Sequence, residues 1–185
     1  MTATYLTRLT EAMTLLSLAP NTLFLGQAIK YPGTGMTQTF QNIPPDRLIE
    51  LPVFENTQLG MCTGLSLAGY LPIAVFPRMN FLLCAIDQLV LHLDALPRYS
   101  TYRPKVLIRT AVASPTPLDP GTQHLGDYTE AITSMLKTVK VEALWNPSEI
   151  LPAYRRALAG EGSTILVEYT CRYDVTKDDW YDEKA

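Results

Sequence analysis

Histidine and cysteine are scarce in this chain: two of the first and three of the second among 185 residues. A zinc site needs three or four such ligands at paired spacing, so metal chemistry on this chain is not expected. Cys62, Cys84 and Cys171 are odd in number and unpaired in spacing. That excludes a secreted disulfide framework and favours buried or incidental thiols in a reducing, cytoplasmic compartment. A glycine-rich phosphate loop is also missing. The stretch Gly33-Thr34-Gly35-Met36 has neither the spacing nor the strand-to-helix setting of one. No G-x-S-x-G nucleophile elbow occurs. Lys and Arg total 15 against 18 Asp and Glu, a net charge of −3 that leaves no electrostatic footprint for nucleic acid. No apolar run approaches membrane-spanning length, and no basic-then-apolar leader opens the chain.

What is present is an alternation of two periodicities. Thr4 to Leu18 carries Leu6, Leu9, Met13 and Leu16 on a helical period, closed by Pro20-Asn21. TLFLG (22–26), Leu48 to Phe54, PIAVF (72–76), KVLIRTA (105–111), Val139 to Leu144 and TILVEY (164–169) are short apolar runs of strand length. Helical patterns fall between them at Asn56 to Tyr70, Asn80 to Leu96, Asp127 to Met135 and Ser148 to Ala159. Residues 30–47 and 113–123 are rich in glycine, proline and threonine and read as long loops, where function or mobility concentrates. Near-continuous apolar strands alternating with helices imply one α/β domain, a mostly parallel sheet in a three-layer α/β/α arrangement. That domain spans 1–170, and 171–185 is a polar, acidic tail with embedded aromatics, either frayed or docked on a partner.

Chemistry-bearing residues are few. Glu55 stands between an apolar strand and a helix. The helix dipole there favours a carboxylate, while burial among Val53, Phe54 and Leu59 would favour the acid. It is either a first-turn acidic residue or a group that binds and activates a cofactor. Gly60 and Gly64, four apart in the helix that follows, each cost about 1 kcal/mol relative to alanine, so something must approach that face closely. His92 sits among leucines and reads as structural, whereas His124 closes a proline-rich loop.

The order of motifs is more specific than any one of them. Glu55, G-x-x-x-G, G-Y-x-P-I, N-F-x-x-x-A-I-D-Q and Q-H follow one another, carried by ENTQLGMCTGLSLAGYLPIAVF (55–76) and MNFLLCAIDQ (79–88). This succession resembles the pyrimidine-binding domain of thiamin diphosphate enzymes over almost the whole chain. It is most similar to the beta subunit of 2-oxo acid dehydrogenases, and more distantly to transketolase. The resemblance implies the thiamin diphosphate-binding fold and a mechanism. Glu55 would hydrogen-bond a ring nitrogen of the cofactor's aminopyrimidine, favouring the imino tautomer whose exocyclic nitrogen deprotonates the thiazolium. Phe81 would stack on the ring, with Met79 beside it as a second cofactor contact, and His124 would face the substrate as a proton donor or charge partner.

Departures accompany the likeness. The family's beta subunit continues into a second domain after the TILVEY strand, where this chain stops. QHLGDYTEA (123–131) also differs from the serine and glutamine that dehydrogenase relatives carry after the histidine. The G-D-G and later Asn that hold the diphosphate and its Mg2+ in this family are missing as well. The resemblance therefore implies a separately encoded diphosphate-binding, alpha-like partner in a heterotetramer, with a small-molecule substrate and neither nucleic acid nor membrane. The expected activity is transfer of a two-carbon or acyl unit from a 2-oxo acid. A split transketolase-like subunit acting on ketose donors, and a non-catalytic regulatory protein retaining the fold, are the alternatives.

Overall fold

Every residue of the third and sixth strands is buried, which is possible only for strands covered on both faces. The computed structural model describes residues 3–179. Six strands, β1 (Thr22–Gly26), β2 (Leu48–Glu50), β3 (Leu71–Phe76), β4 (Leu107–Val112), β5 (Lys140–Leu144) and β6 (Thr164–Tyr169), form one all-parallel sheet in the order β2-β1-β3-β4-β6-β5. Successive side chains divide between two cores. Ile73 and Val75 point to one that holds Tyr5, Leu9, Met13 and Tyr154. Ala74 and Phe76 point to the other, with Leu59, Cys62, Leu82 and Leu89. The first core lies under α1 (Tyr5–Ser17) and α6 (Pro147–Ala159), the second under α2 (Glu55–Leu67), α3 (Met79–Leu83) and α5 (Thr129–Met135). This is the three-layer α/β/α fold that the alternation of strands and helices implies.

Local chemistry fixes the element ends. The Thr4 side chain accepts from Thr7 N at 3.1 Å and starts α1. The Glu149 carboxylate accepts from Asn146 N at 2.8 Å at the head of α6, one residue ahead of the expected start. β2 is shorter than the apolar run 48–54. Its last tie is Leu51 N to Gly26 O, 2.8 Å, and Pro52, having no N–H, cannot continue the ladder. Val53 is therefore 76% exposed and contributes nothing to a dry setting for Glu55.

The expected helix from Asn80 to Leu96 is not continuous. After α3 the Cys84 and Ala85 amides tighten onto Phe81 O and Leu82 O, both at 3.0 Å. A wide π turn then runs over Gln88–Leu93, and α4 (Leu96–Tyr99) closes the segment. Leu82, Ala85, Leu89 and Leu93 still face the core, so the apolar period hides the break. The buried Asp94 anchors it, its Oδ1 accepting from the amides of Lys137, Thr138 and Val139 at 2.9, 2.7 and 2.9 Å.

The described part of the tail packs on its own domain. Tyr5 N and Leu6 N, free at the start of α1, donate to Val175 O and Tyr173 O. The Tyr173 ring stacks on Tyr5 with centroids 6.2 Å apart. Arg172 grips Asp179 with both terminal nitrogens, at 2.8 and 2.7 Å, and lies over the Trp145 ring. Residues 180–185 of the expected tail lie outside the described residues.

Candidate functional site

Because all six strands are parallel, their carboxyl ends share one edge of the sheet. The chain leaves β1 toward β2 on one side and returns to β3 on the other. The crevice of an open α/β sheet opens at such a reversal. Gln27 follows β1, Glu55 follows β2, Arg78 and Phe81 follow β3, and the loop after β4 ends at His124.

Glu55 is the first residue of α2 and is 8% exposed. The first-turn amides and the helix dipole favour an anion there. Its one side-chain hydrogen bond among the described residues comes from Gln27 Nε2, long at 3.3 Å, which leaves carboxylate lone pairs to accept a further donor. Gln58, one turn on, fixes its position. Gln58 is buried and donates to Val75 O at 3.0 Å and Leu25 O at 3.3 Å, pinning α2 to the ends of β3 and β1. The loop after β1, which carries Gln27, is held by Glu50, a residue the apolar run of β2 conceals. Its carboxylate accepts from Ala28 N (2.6 Å), Ile29 N (2.9 Å) and Lys30 N (2.8 Å), with Ala28 at the left-handed φ of 54°.

Phe81 and His124 meet. Their rings are 5.4 Å apart, edge to face, although 43 residues separate Asn80 from Gln123, whose contact clamps them. Asn80 Nδ2 donates to Gln123 O at 3.0 Å. Two buried polar atoms remain without a partner here, His124 Nδ1 and Asn80 Oδ1. Such orphans cost free energy unless something supplies them. No hydrogen bond or ring contact among the described residues joins Glu55 to this pair; they share an edge of the sheet. Met79 faces the other way. It is buried, and its sulfur accepts from Tyr128 N at 3.1 Å, so it fastens α3 to α5 from within the core.

The remaining candidates do less. His92 is exposed. Cys62 is buried, which pushes its thiol up to about 12 and leaves it unreactive at neutral pH. Among the described residues no group of His, Cys, Asp and Glu is placed to hold a metal ion, and no helix is long and apolar enough to cross a membrane. A larger hollow of about 330 Å³, walled by Leu93, Arg103, Val139 and Glu161, lies at the amino ends of the strands, away from Glu55.

The residues present fit an aminopyrimidine. Glu55 has acceptor capacity to spare, Phe81 is a half-buried aromatic face, and His124 and Asn80 hold unfilled polar atoms at the same edge. No curated protein matches the chain. Among solved structures, a split gene transketolase described as an inactive beta4 tetramer is similar with a TM-score of 0.73 at 18% identity. The match covers 100% of this chain and 56% of that one. The chain thus spans little more than half the length of that relative. The family model for the transketolase pyrimidine-binding domain matches residues 3–173, and the chain belongs to that family.

Proposed function

We propose that the chain is the pyrimidine-binding subunit of a split thiamin diphosphate-dependent enzyme that cleaves and transfers a carbon unit from a carbonyl donor. The observation that carries this reading is Glu55, a nearly buried carboxylate at a helix start with a single long hydrogen bond to Gln27. Thiamin diphosphate, when bound, supplies the carbanion chemistry and the electron sink. Glu55 accepts a hydrogen bond from the ring nitrogen side of the pyrimidine and so sets which nitrogen carries the proton. Phe81 offers its face to the ring, and the half-buried His124 beside it gives or takes a proton as charge develops on the substrate oxygen. Met79 supports Phe81 from beneath by fixing α3.

The diphosphate and Mg2+ belong, in this reading, to a separately encoded partner. The similar split gene transketolase assembles as an inactive beta4 tetramer. That supports a chain which self-associates and is inactive until the partner joins, and it favours a transketolase-like ketose donor alongside the 2-oxo acid reading. The outer face of α2 suits an interface. Glu55 is its one charged residue, and Met61 and Leu67 stand 40% and 45% exposed. The test is co-purification of the chain with its diphosphate-binding partner and assay with both donor classes. Glu55→Gln should lower turnover by roughly 10²–10⁴-fold without moving the unfolding midpoint. Full activity in that variant contradicts the proposal.

A further inference from the structure

At the opposite end of the sheet from Glu55, the segments entering β4, β5 and β6 enclose a hollow of about 330 Å³. That falls within the roughly 300–1,000 Å³ of small-molecule sites. Leu93, Pro97, Pro104 and Val139 give it an apolar lining, and Arg103 and Glu161 are its two charged residues. Both are exposed, so they stand at the mouth. Buried hydrogen bonds fix the walls. Ser163 Oγ accepts from Val106 N at 3.0 Å and donates to Pro104 O at 2.9 Å. Asp94 Oδ1 holds the amides of Thr138 and Val139, and its other oxygen is buried without a partner. A hollow held in this way is preformed, and a ligand would not have to order it.

The two charges are not spent on each other. Arg103 Nη1 donates to Ser100 O and Tyr102 O, both at 2.9 Å, which sets the plane of the guanidinium. Nε and Nη2 are left, the paired donors along the edge of the fork that a carboxylate takes with both oxygens. Among the described residues nothing takes them. Arg103 and Glu161 line one hollow without forming an ion pair, and Glu161 makes no hydrogen bond. A plain carboxylate would satisfy Arg103 but stand against Glu161, and a plain amine would do the reverse. An α-amino acid carries both charges on one carbon and turns its side chain to the rest of the lining.

We propose that this hollow binds an apolar α-amino acid, with its carboxylate on Arg103, its ammonium on Glu161 and its side chain against Leu93, Pro97, Pro104 and Val139. The inference is independent of the cofactor reading, in which none of these residues takes part. The test is a calorimetric titration of the full-length chain with L-leucine, in which saturable binding of millimolar or tighter affinity is expected. Glycine lacks the apolar body and should bind about tenfold more weakly or worse. Isocaproate lacks the ammonium and isoamylamine the carboxylate, and each should lose about tenfold or more. Arg103→Gln and Glu161→Gln, both at exposed positions, should weaken leucine by about tenfold with the urea midpoint unmoved. Arg103→Lys keeps the charge but loses the fork, and should not restore binding. Glu55→Gln should bind leucine as the unaltered chain does. Absence of saturable binding by leucine overturns the proposal. So does glycine, isocaproate or isoamylamine binding as tightly as leucine, or leucine binding that survives Arg103→Gln.

Discussion

Arg109 and Glu168 lie diagonally across the neighbouring strands β4 and β6, both buried, and are joined at 2.6 and 3.1 Å by two hydrogen bonds. Burial alone would weaken the guanidinium's hold on its proton, but the carboxylate beside it outweighs that and raises the Arg109 pKa. Thr39 Oγ1 accepts from Arg109 at 2.6 Å and the Tyr173 hydroxyl donates to Glu168 at 2.5 Å, tying the loop after β1 and the segment after β6 to mid-sheet. Glu168→Gln leaves a buried cation without its anion. We expect it to cost about 3–5 kcal/mol of stability, measured by urea unfolding, and a cost below 1 kcal/mol would contradict this account. Nothing in the sequence signals the pair. Glu168 hides in TILVEY, which reads as apolar strand, and its partner lies 59 residues away. Glu55, Phe81 and His124 can be singled out in the sequence because a motif orders them along the chain. Gln27 and Glu50 cannot, because their contacts arise only when parallel strands bring their carboxyl ends to one edge.

At the scale of elements, the sheet and most helices follow from apolar period and turn chemistry, and the exceptions have local causes. Pro52 stops β2, and the Asp94 anchor sits where a continuous helix was expected to run on. Burial would raise the Asp94 pKa, yet the amides of Val139, Thr138 and Lys137 outweigh it and hold the carboxyl below its usual range. A depressed folded pKa gives stability that is fully present above the unfolded value, about 3.9, and is lost as pH falls through the folded value. Asp94→Asn should therefore lower the urea midpoint at neutral pH, and its deficit should shrink below about pH 4. A deficit unchanged with pH would show that the carboxylate's charge is not what anchors the turn.

The two α2 glycines, alike in sequence, differ in place. A Cβ on Gly60 would meet Gln88 Oε1 at 3.2 Å within the chain, whereas one on Gly64 meets nothing within 4 Å. In the isolated chain Gly64→Ala should stabilise by about 0.5–1 kcal/mol, since helix propensity is the only term that changes. Gly64→Leu should fold but fail to co-purify with the partner. Assembly of that variant in normal yield would mean the glycine faces solvent and the interface lies elsewhere.

At the scale of the whole molecule, the described residues form one three-layer α/β/α sheet domain with the proposed site at one edge. Glu55, Phe81 and His124 stand along one edge of the sheet, with the unpartnered His124 Nδ1 and Asn80 Oδ1 nearby, while Met61 and Leu67 of α2 are exposed. If, as proposed, Glu55 governs proton movement on a cofactor bound between subunits, the exchange rate of the thiazolium C2 proton of thiamin diphosphate reports it, followed by NMR in deuterated buffer with the assembled complex. Exchange much faster than for free thiamin diphosphate is expected, with the acceleration lost in Glu55→Gln and absent for this chain alone. Equal acceleration in Glu55→Gln and the unaltered complex would contradict it.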